Sequence, residues 1–278
     1  MKITCYAIST ERALHQIVAA KQFINGLKRH GVSAELKIGL SADSESDLTL
    51  VWGMRGAKRV RPNNEDLLLM ERSYFEDRFK WISLGYNGLN NRGEFYNKNM
   101  PPDRWNKHFN DGRMKEWNSI GDHVLLTLQK KGDYSLNHVN VNYHQIIDEI
   151  KKNTDLPIHV RDHPHSKNSK EKNTWGKLNG VYYADPNIPI SEAVKKAKVV
   201  VTINSNSGVD AILEGTPVIN TDHGSMVWDI AMQNDFSNID TPPIPNREQW
   251  AYDTSYCQWL PSEIENGDAW AHLKKHWV

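Results

Sequence analysis

Long hydrophobic runs are missing from this sequence. No stretch approaches the roughly 20 apolar residues needed to cross a bilayer, and no basic-then-apolar leader opens the chain. The expectation is a cytoplasmic protein without membrane contact. Cysteine is scarce too: Cys5 and Cys257 build no disulfide framework, and Cys5 falls in the apolar run 3–8, where a buried thiol is expected. An excess of one charge is also lacking. With 34 Lys and Arg against 34 Asp and Glu, any nucleic-acid contact must rest on a local patch. There is no internal repeat and no low-complexity segment.

What is present reads as α/β. The 278 residues suffice for two domains. A strand over 2–8 leads into a helix over about 10–29 that stops at Gly31, and strands follow at 34–38 and 48–52. An apolar run at 67–70 ends at Glu71. From 72 to 118 the period loosens into Asn-, Gly-, Arg- and aromatic-rich sequence, expected to be a long functional loop region. Regular alternation resumes at 124–128, with helices at 143–152, 191–196 and 207–214 between strands at 157–161, 181–184, 199–203 and 217–220. Helices between strands imply a mostly parallel sheet with its ligand site beyond the carboxyl ends of the strands. The stretch 246–278 reads as two amphipathic helices, the second opening at Pro261 and Ser262 with Glu265 three residues on. The expected organisation is a domain over 1–120, a second over 121–245 and C-terminal helices packing back over 246–278. Tryptophans among polar residues, Trp105, Trp117, Trp228, Trp250, Trp259, Trp270 and Trp277, suit either stacking surfaces or interdomain packing.

Three segments carry chemistry. The buried strand from Val199 runs into Asn204-Ser-Asn-Ser-Gly208 and a short helix. Free N–H groups and the helix dipole favour a phosphate there, with Ser205, Asn206, Ser207 and Gly208 allowing close approach and Glu214 reaching a ribose hydroxyl. A capping box of Ser207 and Asp210 explains two of these residues without a ligand. The second segment, Ile158-His-Val-Arg-Asp-His-Pro-His165, offers Arg161 and His163 to phosphate. His159, His163 and His165 can be read as metal ligands, yet their spacing matches no zinc pattern, and no metal is expected. In the third, Gln129, Lys131, Gly132 and Ser135 can close over a diphosphate.

Arg161-Asp-His-Pro164 followed by Asn204-Ser-Asn-Ser-Gly-Val-Asp-Ala-Ile-Leu-Glu-Gly-Thr-Pro217 resembles the donor domain of two-domain GT-B glycosyltransferases. It is most similar to capsular-polysaccharide and sugar-acid transferase branches, over roughly 121–228. Asp162 replaces the more usual Pro or Lys, and Asp210 with Ile212 stands where Glu-Ala often occurs. The resemblance implies two Rossmann-like domains facing a cleft, no bound cofactor, and a nucleotide-sugar co-substrate, a UDP-sugar foremost. The donor would lie against Arg161, His163, Ser205, Ser207, Gly208 and Glu214. The stretch 71–92 is similar to a group of tailed-phage proteins, and phages glycosylate hydroxymethylated bases of their DNA. That resemblance implies a hydroxymethylpyrimidine of double-stranded DNA as acceptor.

Glycosyl transfer needs a base for the acceptor hydroxyl and cationic groups for the departing diphosphate. Glu71 and Asp77 are the candidate bases, with salt bridging to Arg72, Arg78 or Arg92 as the structural alternative. Acceptor or DNA contacts are expected from Arg72, Arg78, Asn87, Asn90, Arg92, Arg104, Lys107 and Arg113, with Lys98, Arg104, Lys107, Arg113 and Lys115, interleaved with Trp105 and Trp117, as the basic run for DNA. A solvated charged face explains the same run. A transferase for surface polysaccharide, a nucleotide-sugar epimerase and a non-catalytic nucleotide- or DNA-binding module remain the alternative readings.

Overall fold

The computed structural model describes residues 1–63, 66–75, 77–118, 120–166 and 175–277. The chain divides into two compact units, Met1–Arg104 with Ala251–Val278, and Trp105–Trp250. Where the sequence suggested a boundary after 120, the first unit ends at 104, and it takes in the residues from 251 onward.

In the first unit β1 (Ile3–Ala7), β2 (Ala34–Ile38), β3 (Leu48–Trp52) and β4 (Leu67–Arg72) run parallel. The strands β5 (Ile82–Tyr86) and β12 (Gln258–Trp259) add antiparallel partners, giving the order β12-β5-β4-β3-β1-β2. Every residue of β1 is buried, because both faces of a parallel sheet are covered. Burial pushes the Cys5 thiol up to about 12, which keeps it inert. Helix α1 (Leu14–Arg29) buries Ala20, Phe23, Ile24 and Leu27, the one-face spacing of a helix. It also buries Gly26 against α8 (Pro261–Asn266): a Cβ at Gly26 would lie 2.1 Å from the Ile264 carbonyl oxygen. Only glycine allows that approach.

The region 72–118 is not one long loop. It holds β5, with all five residues buried, and the short helix α3 (Asp103–His108). Period 2 failed to signal β5 because both of its faces are covered and because Gly85 reads as a turn residue. A Cβ at Gly85 would meet the Phe95 ring at 2.6 Å, so the glycine admits an aromatic side chain to the sheet. The helix α2 (Gly53–Val60) was also missed. At the C-terminal end α8 opens with Pro261 as expected, but Glu263, not Glu265, reaches back to the Leu260 N–H at 2.9 Å. Helix α9 (Asp268–Leu273) follows at Gly267, whose φ is 87°.

The second unit is uniformly parallel. Its strands are β6 (Val124–Thr127), β7 (Ile158–Arg161), β8 (Val181–Ala184), β9 (Val199–Thr202), β10 (Val218–Asn220) and β11 (Met232–Gln233), in the order β11-β10-β9-β6-β7-β8. Helices α4 (Tyr143–Asn153), α5 (Ile190–Val194) and α6 (Ser207–Leu213) connect them. Asn142 caps α4 by accepting the Gln145 N–H at 3.1 Å. Val199, Val200 and Val201 are fully buried, each contributing about 1.5–3 kcal/mol on burial. Residues 115–118 strap the end of α6, with Lys115 N–H donating to Leu213 and Asn118 N–H to Gly215, both at 2.7 Å. Gly215 is needed there: its φ is 81° and a Cβ would meet the Glu116 carbonyl at 2.0 Å.

Candidate functional site

Strand order locates the crevice in each sheet. In the second unit β6 is followed by β7 and β8 on one side, and β9 then returns to the other side of β6. The switch between β6 and β9 is where open α/β sheets bind ligands. In the first unit the same reversal falls between β1 and β3.

The second unit's switch point is bridged by paired amides. Gln129, just past β6, donates through Nε2 to Asn204 Oδ1 at 2.7 Å, and Asn204 N–H donates back to Gln129 Oε1 at 3.1 Å. Asn204 Nδ2 donates to Asp222 Oδ2 at 2.5 Å and to the Ser135 carbonyl at 2.9 Å. Gln129 Nε2 also donates to Ser135 Oγ, 3.0 Å away. Gln129, Asn204 and Asp222 are all buried, so the satisfied network fixes the ends of β6, β9 and β10 relative to one another. Of these, the sequence indicated Gln129 and Ser135. Asn204 sat in the right segment without an assigned role, and Asp222 left no signal because nothing in its local sequence shows that it meets Asn204.

Beside the network lies a cavity of about 370 Å³, lined by Gln129, Lys131, Gly132, Tyr143, Asp162 and Trp175 among others. Lys131 and Gly132 are exposed at its rim. Trp175 is buried, and its indole N–H has no hydrogen-bond partner among the described residues. Asp162, also buried, accepts the Tyr183 hydroxyl at 3.3 Å. Burial, then the neighbouring Asp162 carboxylate, pushes that hydroxyl up to about 12. His163 Nδ1 accepts the His165 N–H at 3.1 Å, which leaves the proton of the neutral ring on Nε2.

Several expected contacts have other roles. Arg161 is buried and its guanidinium donates to the carbonyls of Asp185, Pro186 and Ile188 at 2.7, 3.1 and 2.5 Å. It shapes the loop after β8, and burial lowers its pKa. The turn before α6 is largely self-satisfied: Ser207 N–H donates to Ser205 Oγ, Gly208 N–H to the Ser205 carbonyl, and Asp210 N–H to the Asn206 carbonyl. Ser207 Oγ meets Thr127 Oγ1 at 2.8 Å. Gly208 faces the sheet, its would-be Cβ 3.1 Å from Val227 and 3.6 Å from Thr202, so it serves helix-to-strand packing. Glu214 caps the far end of α6, about 10 Å from Ser207 at 1.5 Å per residue, with its carboxylate 3.6 Å from Lys195 Nζ.

On the first unit Glu71 lies in the last two residues of β4, at the carboxyl edge. Its Oε1 accepts the Arg72 N–H at 2.8 Å, and Oε2 would lie 3.2 Å from a Cβ at Gly53, at the start of α2. A carboxylate there is stabilised by the helix dipole. Asp77 is an exposed turn residue with φ 64°, accepting the Lys80 N–H on its carbonyl, so local geometry accounts for it. Asn87, at φ 60°, lies in the bend after β5 and its Oδ1 accepts the Leu67 N–H at 2.9 Å, while Asn90, at φ 52°, opens a short 3-10 helix over Asn90–Arg92.

Arg104 is withdrawn from the acceptor patch. It is buried, pairs with Glu263 at 2.8 Å, donates to the Ser255 and Gln258 carbonyls, and stacks 4.0 Å from the Trp259 ring. Arg113 pairs with its neighbour Asp111 at 2.7 Å, while Lys107 is exposed. Trp105, Trp250, Trp259 and Trp270 are buried core residues, not stacking surfaces. Arg78 and Arg92 are half-buried in the first unit. Among the described residues no three His, Cys, Asp or Glu side chains gather as a metal site, and no helix is long and apolar enough to cross a membrane.

No protein-family model and no curated protein matches the chain by sequence. Solved structures do match. The KpsC beta Kdo 2,4 transferase of Thermosulfurimonas dismutans aligns at TM-score 0.52 and 13% identity, covering 90% of this chain and 89% of that one. The KpsC beta Kdo 2,7 transferase of the same organism aligns at TM-score 0.53 and 13% identity, covering 96% and 99%. At that identity the likeness concerns fold alone: the chain has a GT-B-like fold, two α/β units each built on a parallel-rich sheet.

Proposed function

We propose that the chain is a glycosyltransferase that takes a sugar from a nucleotide-sugar donor and passes it to a hydroxyl acceptor. The observation that carries this reading is the buried Gln129–Asn204–Asp222 network at the second sheet's switch point, opening beside a cavity of about 370 Å³. Fold-level likeness to two Kdo transferases agrees with it.

In this reading the donor nucleoside occupies the cavity, with the Trp175 N–H and the Asp162 carboxylate fixing its polar edge and Lys131 and the His163 Nε2–H meeting the phosphate. Ser205 and Asn206, both half-buried at the turn, line the approach. Those cationic and N–H groups stabilise the charge that gathers on the departing phosphate. Glu71 accepts the proton of the acceptor hydroxyl as its oxygen attacks the anomeric carbon. Direct displacement inverts the anomeric centre, and a product of retained configuration would contradict that step.

A hydroxymethylated pyrimidine of DNA stays the proposed acceptor from the 71–92 resemblance, now without Arg104 in its support. A sugar-acid donor is the alternative suggested by the two Kdo transferases of similar fold. The test is a thermal-shift and product screen with UDP-, GDP- and CMP-sugars, nucleotide-activated Kdo included, with and without hydroxymethylcytosine DNA. At a hundredfold excess over Kd a donor adds about 2.7 kcal/mol of stability. Stabilisation by none of them sinks the reading.

A further inference from the structure

Arg72 ends β4 at the carboxyl edge of the first sheet, near the switch between β1 and β3. Its guanidinium lies 5.3 Å from the centre of the Trp52 ring and 4.6 Å from that of Phe79. Among the described residues this guanidinium has no carboxylate partner and no hydrogen-bond acceptor. Two rings therefore hold a half-buried arginine whose guanidinium bonds to no other described side chain. Phe79 itself is 84% exposed, so burial of its own surface does not account for it. His15, in the first turn of α1, packs edge-on against the same Trp52 at 4.6 Å between ring centres. Partial burial, and after it the Arg72 charge, hold His15 below its ordinary pKa.

A planar fork of donors with no internal acceptor matches a carboxylate or a phosphate. We infer that this crevice is an oxyanion site in which Arg72, braced by Trp52 and Phe79 with His15 beside it, receives an anionic group carried by the acceptor. Assigning that anion to the acceptor rests on the proposed transfer reaction, whereas the anion binding does not. The acceptor class is thereby narrowed to hydroxyl compounds bearing a phosphate or carboxylate, and neutral sugars are poor acceptors.

The test follows the His15 ring-proton NMR signal of the full chain, identified by its loss in His15→Gln, during titration with inorganic phosphate and, separately, glucuronate. A saturable shift is expected with at least one of them. A response to phosphate alone points to a phosphate-bearing acceptor, and a response to glucuronate alone to a sugar acid. Arg72→Gln is expected to weaken binding about tenfold or more, the loss of a charge-assisted hydrogen bond. Arg72→Lys retains phosphate better than carboxylate, because it keeps the charge and loses the fork. Should Arg72→Gln fail to fold, Phe79→Ala, at an exposed ring, is expected to weaken the same shift. No shift in the wild type, or an undiminished shift in the folded variants, overturns the inference. Donor-induced thermal stabilisation reports separately on the transferase reading. Its absence alongside an anion-dependent shift removes that reading and leaves the anion site standing.

Discussion

The two sheets use the same topological device and finish it differently. At the second unit's switch point buried amides and a carboxylate bond to one another, Gln129 to Asn204 and Asn204 to Asp222, so the crevice is fixed before any ligand arrives. At the first unit's switch point the corresponding places hold rings and a cation, Trp52, His15 and Arg72, and among the described residues no ion pair completes them. The contrast teaches a division of labour. Shape and hydrogen-bond geometry are built into the second crevice, whereas the first presents a ring-stacked guanidinium and so discriminates by the charge of what it binds.

The largest expected effect lies at the buried ion pair of the first unit. Arg104→Met leaves Glu263 buried without its cation and is expected to cost about 3–5 kcal/mol, read as a lower urea midpoint. Donor binding in the second unit should survive wherever the variant is folded. Next in size is Gly26→Ala, which drives a methyl into the Ile264 carbonyl where α1 crosses α8. The expected loss is about 1–3 kcal/mol, again without effect on nucleotide affinity. Asn204→Leu attacks the other crevice. It removes the hydrogen bonds that Gln129 and Asp222 make to Asn204, and is expected to cost about 1–3 kcal/mol in urea unfolding and to abolish donor-induced stabilisation while leaving the His15 anion response intact.

The smallest effect is with pH. Burial lowers the pKa of His272, and burial together with the stacked His123 lowers that of His159. The folded chain then holds these protons less tightly than the unfolded chain does. Their contribution is intact above the ordinary value of 6.5 and is lost as pH falls from there through the lowered folded values. The melting temperature should decline across that window, and His272→Gln should flatten the decline.

Much of the fold was legible. Val199–Thr202 and Ile158–Arg161 announce themselves as apolar runs of strand length bounded by polar turns, and α1 by its one-sided apolar spacing. What stayed hidden depended on partners distant in sequence. Ile82–Tyr86 reads as loop because Gly85 makes room for Phe95, a neighbour that sequence does not show. Arg104 looks like a surface cation among polar residues until Glu263 and Trp259, more than 150 residues away, enclose it. The site followed the same rule. Gln129 and Ser135 were indicated by their loop after a strand, but the strongest motif, Ser205–Gly208, bonds mostly to itself, and Arg161 is consumed by three carbonyls.

The most direct measurement is calorimetric titration of a stabilising nucleotide sugar into the wild type, Asn204→Leu and Arg72→Gln. The division between the two crevices predicts donor affinity lost in Asn204→Leu and unchanged in Arg72→Gln. Equal affinity in Asn204→Leu and the wild type, or a donor affinity that follows Arg72, would contradict it.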